Sequence, residues 1–598
     1  MASAANVALA SPKVIVALDF GTTFSGFAYA HTTEPAKIYS CYDYPRSGKE
    51  KPYCKTLTAS YYKQVGGEWE LKAWGYPARS EYERDVQALR KHRAKGLPLD
   101  DPAAPTMGKY LTRFKLHLAS HDMGVSSASP LPVGLTAEVV IADYLCGMGD
   151  VILAHLQRKF GEHLTMEVIQ WCITVPSIWD DSAKVKMRSC MIDAGLVKCE
   201  GGSPHPLIVV LEPEAASFHC HKVMKEQILD VGDKLLVADI GGGTSDIVVQ
   251  EVVSVGEDSR YRVKEVTTSS GGLCGGTYVD SRFMEFLQKQ IGPCLPECIV
   301  THPHVYAQLL KAWECAKTSF GEPTMIGESI EVDFPNSLAA VWQAYDQRVG
   351  NPARDSYDSL EITYPELQSI FDPVVTQIRD LISNQLLESG GAIKVLVVVG
   401  GFAESPYLLD CIRRKFSDTV PHIFSPPNPG SAVSQGAVAL AFNPDIIVSR
   451  ICKRTYGFAI REHFETGVDP IEYLLTCDGY AECRNRFRIL VRKGDEVRVD
   501  DCVSTTCSAS FKSKRTTFRL FSTYETDPRY TTEDSVMEEG EFCVTDVSAG
   551  EVLRRDRRLK VSLFFGGSSI EVKAEAVNFL ADDKVGFPIE VDYLLNRS

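Results

Sequence analysis

Up to about residue 445, short continuous apolar runs alternate with stretches of helical period. Continuous apolar runs are typical of strands buried on both faces, which occur in parallel sheets covered by helices. Apolar positions spaced by three or four residues between the runs predict the covering helices. This part of the chain is therefore predicted to be α/β. The predicted strands are VIVALDF from Val14, VIQWCITVP from Val168, PLIVVLEP from Pro206, KLLVADI from Lys234 and KVLVVVGG from Lys394.

Several helices have boundaries that the sequence marks. One is expected from about Trp179 to Ala194, followed by Gly195, because glycine commonly ends a helix. Another is expected after Thr363-Tyr364-Pro365, because proline suits the first helical turn. The segment SEYERDVQALRKHRAKG, residues 80–96, interleaves acidic and basic residues, which predicts a solvated helix face rather than a binding patch.

From about residue 456 the pattern changes to alternation of apolar and polar residues with many β-branched side chains. In RLKVSLFFGGSSIEVKAEAV, which starts at Arg558, Gly566-Gly567 separates two such runs and predicts a hairpin. Residues 456–598 are therefore predicted to form a β-sandwich or barrel. The predicted organisation is a flexible N-terminus at 1–12, an α/β domain at 13–445, a linker at 446–455 and a β-rich domain at 456–598.

Two of the predicted strands end in the same unusual way. One ends on Asp19 and runs into Gly21-Thr22-Thr23, and the other contains Asp239 near its end and runs into Gly241–Thr244. Successive N–H groups of a glycine turn form a concavity for an anion, and threonine adds a hydroxyl donor. A carboxylate beside a phosphate is unfavourable unless Mg²⁺ lies between them, and Mg²⁺ is typically held by one or two carboxylates plus phosphate oxygens. The two turns therefore predict a Mg²⁺-nucleotide site with Asp19 and Asp239 as metal ligands.

Other features refine this prediction. Asp246, seven positions after Asp239, is expected to orient a water in the same cleft. Neither GxxxxGK[ST] nor GxGxxG is present, and the chain continues as strand after each turn, so the site is not a P-loop. Gly400-Gly401 lies between a buried strand and a helix expected from Ser405-Pro406, and it would allow close approach of a base and sugar.

Composition sets further bounds. At 598 residues the chain exceeds what a single core usually supports, so at least two domains are expected. A net charge of −15 disfavours nucleic acid and anionic lipid surfaces as partners. No cleavable leader and no apolar run near the ~18 residues of a membrane span are recognised, which predicts a soluble cytoplasmic protein, with the nucleus left open. The eighteen cysteines lack CxxC pairs and lie mostly in apolar runs, which predicts buried thiols.

Taken together, the motifs resemble those of the actin-like ATPase superfamily and, within it, the 70-kilodalton heat-shock chaperones. The first phosphate loop is matched by Asp19–Thr23, the second by Asp239–Asp246 and the adenosine motif by Gly400–Ser405. ITVPSIWDDSAK, LEPEAAS, GGTYVD and WECAK agree with the connecting segments, and the resemblance covers about residues 13–445. It implies a two-lobed actin-like (ribonuclease H-like) nucleotide-binding domain. The smaller β-rich domain resembles the chaperones' peptide-binding sandwich more faintly.

The resemblance also implies roles for individual residues. Nucleotide contacts are implied for Gly21, Thr22, Thr23, Phe24, Gly241, Gly242, Gly243, Thr244, Gly275, Gly276, Glu314, Lys317, Gly400, Gly401, Phe402 and Glu404. In hydrolysis, Asp19 and Asp239 would hold hydrated Mg²⁺, while Glu212 or Asp246 would orient the attacking water. Arg79 is assigned to the place of a lysine that acts near the γ-phosphate in those chaperones, although arginine's planar fork is no simple replacement for an ammonium group.

The chain also departs from the family pattern. Gly430 stands where an acidic residue is usual, and PDIIVSRICKR replaces the acidic-leucine interdomain linker. After the β-rich part, YLLNRS leaves no room for a helical lid, so a β-rich domain without a lid is expected. These features resemble a divergent branch of the family with a reduced substrate domain.

Four readings of function follow. The leading one is an ATP-binding, chaperone-like protein with probable slow Mg²⁺-dependent hydrolysis, in which lobe closure acts on a domain that binds polypeptide clients or co-chaperones. The second is a nucleotide-gated interaction scaffold with negligible hydrolysis. A small-molecule kinase of the same superfamily is a third, and it leaves the β-rich part unexplained. A decayed fold without ligand is disfavoured, because a purely structural turn has no need of two buried strand-end carboxylates.

Overall fold

The chain forms two compact units. The first unit is Met1–Val249 with Ser270–Pro444, and the second is Gln250–Ser269 with Asp445–Ser598. This computed structural model describes residues 11–46, 52–95, 105–119, 129–198, 205–223, 229–256, 261–302, 304–477, 480–508, 515–545, 557–565, 570–578, 587–589 and 591–594. Most of the N-terminus predicted to be flexible (residues 1–10), the turn predicted at Gly566-Gly567 and the terminal residues 595–598 lie outside the described part.

The described helices and strands follow the predicted change from α/β to β. The helices are α1 Tyr76–Ala94, α2 Ala137–Phe160, α3 Asp181–Asp193, α4 Glu212–Val223, α5 Gly276–Ile291, α6 Cys294–Thr301, α7 His304–Ser319, α8 Asn336–Val349, α9 Tyr364–Glu388, α10 Pro406–Phe416 and α11 Ala432–Phe442. The strands up to residue 424 are β1 Val14–Asp19, β2 Phe24–His31, β3 Tyr39–Ser40, β4 Thr56–Leu57, β5 Ala59–Val65, β6 Glu68–Trp74, β7 Lys109–Thr112, β8 Ile169–Val175, β9 Ile208–Leu211, β10 Lys234–Ile240, β11 Ser245–Val255, β12 Tyr261–Glu265, β13 Ser270–Gly272, β14 Ile330–Asp333, β15 Ser359–Ile362, β16 Ile393–Val399 and β17 His422–Phe424. The strands after residue 446 are β18 Ile447–Ile451, β19 Thr455–His463, β20 Leu474–Cys477, β21 Tyr480–Val491, β22 Glu496–Arg498, β23 Val503–Ser508, β24 Arg515–Thr523, β25 Val536–Thr545, β26 Arg557–Phe564, β27 Glu571–Asn578, β28 Phe587–Ile589 and β29 Val591–Leu594.

The first unit contains two principal sheets, and we call each sheet with its covering helices a lobe. In the first lobe the strand order is β3-β2-β1-β8-β9, with β1 and β2 antiparallel and β8 parallel to both β1 and β9. All six residues of β1 and all seven of β8 are buried, which matches their continuous apolar sequences. In the second lobe the order is β17-β16-β10-β11, with β16 parallel to both β10 and β17.

The predicted helix boundaries lie within a few residues of the observed ones. α3 begins after Asp180, whose side chain accepts a hydrogen bond from the Ala183 N–H (2.8 Å). Gly195 follows this helix with φ of +73°, a conformation that favours glycine. α9 begins after Thr363, where Thr363 and Glu366 form a reciprocal capping box. The charged segment 80–96 lies in α1 as far as Ala94, as predicted.

One described helix, α2, is long and apolar enough to cross a membrane by length and composition alone. This segment did not stand out in the sequence, because Glu138, Asp143 and Asp150 interrupt its apolar residues. More than half of the apolar part of α2 is buried inside the protein, where Val140, Ile141 and Leu145 are fully enclosed. This packing explains the apolar sequence by core formation, and α2 is weak support for a membrane span.

The second unit is built from strands in its described part. One sheet has the order β20-β21-β19-β24-β25-β29 and another the order β23-β26-β27-β28. Phe458, Phe542, Val561 and Leu563 are buried in its core. The unit also includes residues 250–269, which the sequence assigned to the α/β domain, because β12 in this stretch pairs in parallel with β18.

The cysteines whose side chains are described are free thiols, and most of them are buried. Burial raises the pKa of the Cys172 thiol and of the Cys220 thiol, so both stay protonated at neutral pH. Within these residues the prediction of buried thiols is confirmed.

Candidate functional site

The first glycine-threonine turn joins β1 to β2. Asp19 is the last residue of β1 and is 3% exposed. The Thr58 N–H donates to the Thr23 carbonyl (2.8 Å) and the Thr58 hydroxyl to the Gly21 carbonyl (2.8 Å). A Cβ at Gly21 would overlap the Phe24 carbonyl, so only glycine fits this tight turn. The turn is thus held rigidly by its neighbours.

The second turn joins β10 to β11. Its hairpin closes with a hydrogen bond from the Gly241 N–H to the Thr244 carbonyl (2.9 Å). The start of α5 packs on this turn, because the Gly276 N–H donates to the Gly241 carbonyl (3.1 Å) and the Thr277 N–H to the Gly242 carbonyl (2.8 Å). A Cβ at Gly275 would overlap Gly242, so this close approach also requires glycine.

The two turns face each other across the lobes. A Cβ at Gly242 would overlap the Thr23 hydroxyl, and a Cβ at Gly243 would lie 2.5 Å from Thr22 Oγ1. The threonine side chains of the first turn therefore pack directly against the glycines of the second turn. Side chains and backbone N–H groups from two distant parts of the sequence converge on one space, as a phosphate-binding cleft requires.

Four buried carboxylates accompany the turns. Asp19, Glu212, Asp239 and Asp246 are each less than a tenth exposed. Burial raises the pKa of Asp239 well above its usual range, and the negative charges of Glu212, Asp19 and Asp246 raise it further. The four groups thus act on one another electrostatically, and together they favour a cation.

Two lysines partly neutralise this cluster. Lys115 lies in a 3₁₀ turn at Phe114–Leu118, and its Nζ is 2.7 Å from Glu212 Oε1. Lys55 precedes β4, and its Nζ is 2.6 Å from Asp19 Oδ2. Burial raises the pKa of Glu212 to about 7; Lys115 opposes this increase, and the charges of Asp246 and Asp19 add to it.

Asp246 is anchored through only one of its oxygens. Its Oδ1 accepts hydrogen bonds from the Ser177 N–H (2.7 Å), the Ser177 hydroxyl (2.6 Å) and the Ile178 N–H (3.2 Å). Its Oδ2 is buried and has no hydrogen-bond partner among the described residues. A buried carboxylate oxygen without a partner is costly unless water, metal or ligand satisfies it.

The predicted adenosine motif lies beside the second turn. Gly400 has φ of +93°, and a Cβ there would lie 2.5 Å from Asp239 Oδ1. Ser405 caps α10 by accepting a hydrogen bond from the Leu408 N–H (3.4 Å), and α10 begins at Pro406 as expected. Phe402 is buried and packs within 3.5 Å of the position that a Cβ at Gly276 would take. Gly400, Phe402 and Gly276 therefore adjoin the phosphate turn, whereas Gly401 borders open space.

The remaining predicted contacts lie on α7. Glu314 is exposed, and Lys317 Nζ is 2.8 Å from Asp280 Oδ1 on α5. Lys317 is thus tied to the helix whose first residues hold the second turn. Their proposed contact with adenosine stays a prediction.

Tyr53 connects the first lobe with the adenosine motif. Its hydroxyl donates to Glu404 Oε1 (2.9 Å), and its ring contacts Phe24 edge to face at 6.2 Å. A Cβ at Gly430 would overlap the Tyr53 hydroxyl. Gly430 therefore leaves the space that the Tyr53 hydroxyl occupies.

The role assigned to Arg79 stays a prediction, and Lys115 is a second candidate for this cation. Arg79 lies on α1 with its guanidinium over the Tyr76 ring at 5.3 Å, whereas Lys115 supplies the cation paired with Glu212. Lys115 was missed, although a lysine inside the apolar run FKLHL signals a buried charge that needs a partner. Lys55 and Tyr53 were also missed, and nothing in the surrounding sequence marks either of them.

The site residues fit Mg²⁺ and a nucleotide. The Thr23 hydroxyl and Asp246 Oδ2 are buried without hydrogen-bond partners in the described structure. No group of three or more His, Cys, Asp or Glu side chains among the described residues forms a metal cage. A cation held by one or two carboxylates together with phosphate oxygens and water is the arrangement typical of Mg²⁺.

Comparisons with known proteins agree with this geometry. The family model described as Hsp70 protein matches residues 146–447. The chain is 26% identical to human heat shock 70 kDa protein 12B over 656 aligned residues, which cover 95% of this chain and 90% of that protein. It is 25% identical to heat shock 70 kDa protein 12A from mouse and from human, with 97% of this chain and 91% of each relative covered.

Proposed function

This chain belongs to the Hsp70 family, and from that premise we propose that it binds ATP and ADP with Mg²⁺ and hydrolyses ATP slowly. We further propose that nucleotide-dependent closure of the two lobes acts on the second unit, which binds polypeptide clients or partners. The observation that carries nucleotide binding is the pair of interlocking turns, in which Gly242 and Gly243 receive Thr23 and Thr22 beside four buried carboxylates.

The turns offer enough interaction energy for binding. Charge-assisted hydrogen bonds contribute roughly 1.5–3 kcal/mol each. Micromolar affinity needs about 8 kcal/mol. Several N–H and hydroxyl donors from both turns, together with packing of the base near Gly400 and Phe402, reach that range after the cost of association.

For hydrolysis, Asp19 and Asp239 would hold the metal. Bound Mg²⁺ would neutralise charge on the phosphate oxygens. Lys115 is positioned by Glu212, and its ammonium would stabilise negative charge that develops on the transferred phosphoryl group. Glu212 or the unpartnered Oδ2 of Asp246 would orient the attacking water.

A nucleotide-gated scaffold with negligible hydrolysis is the second candidate. Lys55 already pairs with Oδ2 of Asp19, one of the two carboxylates assigned to the metal. This pairing favours tight phosphate binding over metal-dependent chemistry. Such a protein would still switch between nucleotide states and present the second unit to a partner.

Calorimetric titration with ATP and ADP, with and without Mg²⁺, followed by single-turnover hydrolysis, tests both candidates. We expect Asp239→Asn to lower the Mg²⁺-dependent affinity and the hydrolysis rate by at least about tenfold each. The matched control is Asp333→Asn, which changes an exposed aspartate on β14. Measurable ATP binding with a hydrolysis rate equal to buffer would select the scaffold. If the wild-type chain shows no heat of binding and no thermal shift with either nucleotide, the proposed function is wrong.

Client binding by the second unit needs a separate experiment. The relatives carry the name heat shock 70 kDa protein, and the family link supports a polypeptide as the bound partner. We propose a cytoplasmic location for this activity. Suppression of aggregation of a heat-denatured test protein by the full chain, dependent on ATP, is the expected result. Equal aggregation with and without the chain contradicts a chaperone role.

A further inference from the structure

Lys55 is held in place by the same backbone that forms the first phosphate turn. Two residues of β4, Thr56 and Leu57, pair with Ser25 and Phe24 at the start of β2. The next residue, Thr58, hydrogen-bonds to the turn through both its N–H and its hydroxyl. Lys55 directly precedes this fixed segment, so its position relative to the turn is set by backbone hydrogen bonds.

The ammonium group of Lys55 pairs with one of the buried carboxylates. Its Nζ is 2.6 Å from Asp19 Oδ2, and the two side chains are 12% and 4% exposed. Lys55 therefore places an ammonium group directly against one of the two carboxylates that are assigned to the metal.

A charge count shows what this lysine changes. When all four acids are ionised, as a bound cation favours, Asp19, Asp239, Glu212 and Asp246 carry four negative charges, and Lys55 and Lys115 carry two positive ones. The remaining two negative charges match one Mg²⁺ ion. Without Lys55, one bound Mg²⁺ would leave the cluster with an excess negative charge, which repels a polyphosphate.

An ammonium group also has more donors than Asp19 uses. Lysine has three N–H donors, and one ion pair with Asp19 Oδ2 leaves capacity for phosphate oxygens. The Thr23 hydroxyl, in the turn that the segment after Lys55 holds, is buried and lacks a hydrogen-bond partner among the described residues, which favours a ligand at this turn.

We propose that Lys55 is a built-in cation of the nucleotide site, which binds the phosphates directly and makes nucleotide affinity less dependent on divalent metal. This inference rests on the proposed function, because it concerns the same cleft. Asp19 then has two roles, since it holds Lys55 in place when no metal is present and serves as a metal ligand when Mg²⁺ is bound. The chemical class recognised is a nucleoside di- or triphosphate, with or without Mg²⁺.

The test compares ADP affinity in Mg²⁺ and in EDTA by calorimetry for the wild type and Lys55→Met. Methionine keeps much of the apolar stem and removes the charge. We expect chelation to weaken wild-type binding by at most about tenfold and Lys55→Met binding by at least about a hundredfold, since one charge-assisted hydrogen bond corresponds to about ten- to a hundredfold in affinity. Lys37→Met is the matched control, because Lys37 is exposed and pairs with Glu34 on the surface, and it should behave as wild type.

Lys55→Gln is a second variant for the case that Lys55→Met does not fold. Its amide can still donate a hydrogen bond to Asp19, while the positive charge is lost. If Lys55→Met lacks a cooperative melting transition, Lys55→Gln takes its place with the same expected ratios. Equal Mg²⁺-to-EDTA affinity ratios in the wild type and in the folded variant would overturn the proposal for Lys55 and leave nucleotide binding intact. Absence of ADP binding by the wild type in both buffers would instead contradict the proposed function itself.

Discussion

At the scale of single residues, the ion pair between Lys115 and Glu212 makes stability depend on pH in a defined direction. We expect Lys115→Met to lower the melting temperature more at pH 8.5 than at pH 6. Glu212 already has its pKa raised to about 7 by burial, and loss of the lysine raises the pKa further. An acid whose folded-state pKa exceeds its unfolded value costs stability only above that unfolded value, and the cost grows until the pH passes the folded pKa.

Thermal melting of both proteins across this pH range is the measurement. The double variant Lys115→Met with Glu212→Gln is the control, because it has no carboxylate left to titrate at this position. The difference in melting temperature between this double variant and the wild type should vary much less between the two pH values. If Lys115→Met lowers the melting temperature equally at both pH values, Lys115 does not control the ionisation of the buried Glu212, and the prediction is wrong.

A second charged cluster, in the second unit, has the opposite pH behaviour. Asp469 accepts hydrogen bonds from the Glu465 N–H (2.8 Å), Tyr530 (2.7 Å), Arg486 (3.0 Å) and Arg529 (3.3 Å). Burial on its own raises the pKa of Asp469, but the Glu465 amide, Tyr530 and Arg529 together lower it to about 2. Its contribution to stability is therefore complete above about pH 4 and is lost as the pH falls towards 2.

We expect Asp469→Asn to destabilise the second unit by on the order of 3 kcal/mol at neutral pH, because it leaves Arg486 buried with one fewer anion. Urea unfolding followed by circular dichroism measures this loss. The difference between variant and wild type should shrink between pH 4 and pH 2. Asp527→Asn, which removes an exposed partner of Arg492, is the control and should cost less than about 1 kcal/mol. A loss as small as that of the control would contradict the role of Asp469.

The burial of Asp19 and Asp239 was predictable, because local sequence places each of them at the end of an apolar strand before glycine and threonine. Their role as metal ligands stays a prediction. Lys115 and Lys55 were not identified, because the sequence does not show that residues distant along the chain meet them in the fold. Arg79 was assigned from its position in the sequence, and the ion pair between Lys115 and Glu212 is visible only in the packed structure.

At the scale of elements, the two hairpin turns pack against each other, and each limits the position of the other. In Gly243→Ala, the new methyl would lie 2.5 Å from Thr22 Oγ1 and 2.8 Å from Thr22 Cγ2, which is closer than van der Waals contact allows. We expect the turns to move apart, with a stability loss of about 1–3 kcal/mol, as for other overpacked sites. ATP affinity should fall at least about tenfold, because the N–H groups of both turns no longer converge. Calorimetry and thermal melting measure the two effects.

Adding Thr22→Ala to Gly243→Ala provides the control, because it removes the two atoms nearest to the new methyl. The double variant should regain part of the lost melting temperature. Its affinity for ATP should stay low, because the Thr22 hydroxyl is missing. Wild-type affinity and melting temperature in Gly243→Ala would contradict the interlocked arrangement.

Elements with strong apolar patterns were predicted closely, and those defined by tertiary pairing were not. β1, β8, β10 and β16 lie where continuous apolar runs occur, because burial on both faces leaves a clear pattern. The stretch 250–269 belongs to the second unit because β12 pairs with β18, almost two hundred residues further along the chain. Local sequence shows that β12 is a strand, but not which strand it joins.

At the scale of the whole molecule, the lobes of the first unit meet at more than the phosphate turns. Tyr53, from the first lobe, donates a hydrogen bond to Glu404, and Gly430 leaves the space that the Tyr53 hydroxyl occupies. Both Glu404 and Gly430 follow strand β16 of the second lobe. This contact therefore joins the lobes beside the predicted adenosine motif.

We expect Tyr53→Phe to accelerate ADP release by about threefold to tenfold, because the lost hydrogen bond is to a charged but exposed partner and is worth less than a buried one. Gly430→Ala should act in the same direction, since its methyl displaces the same hydroxyl. Stopped-flow displacement of a fluorescent ADP analogue measures the rate. Tyr357→Phe removes a hydroxyl that donates to Asp346 within the second lobe and should leave the release rate unchanged. Release rates of Tyr53→Phe and Gly430→Ala within twofold of the wild type would mean that this contact does not hold the lobes together around the nucleotide.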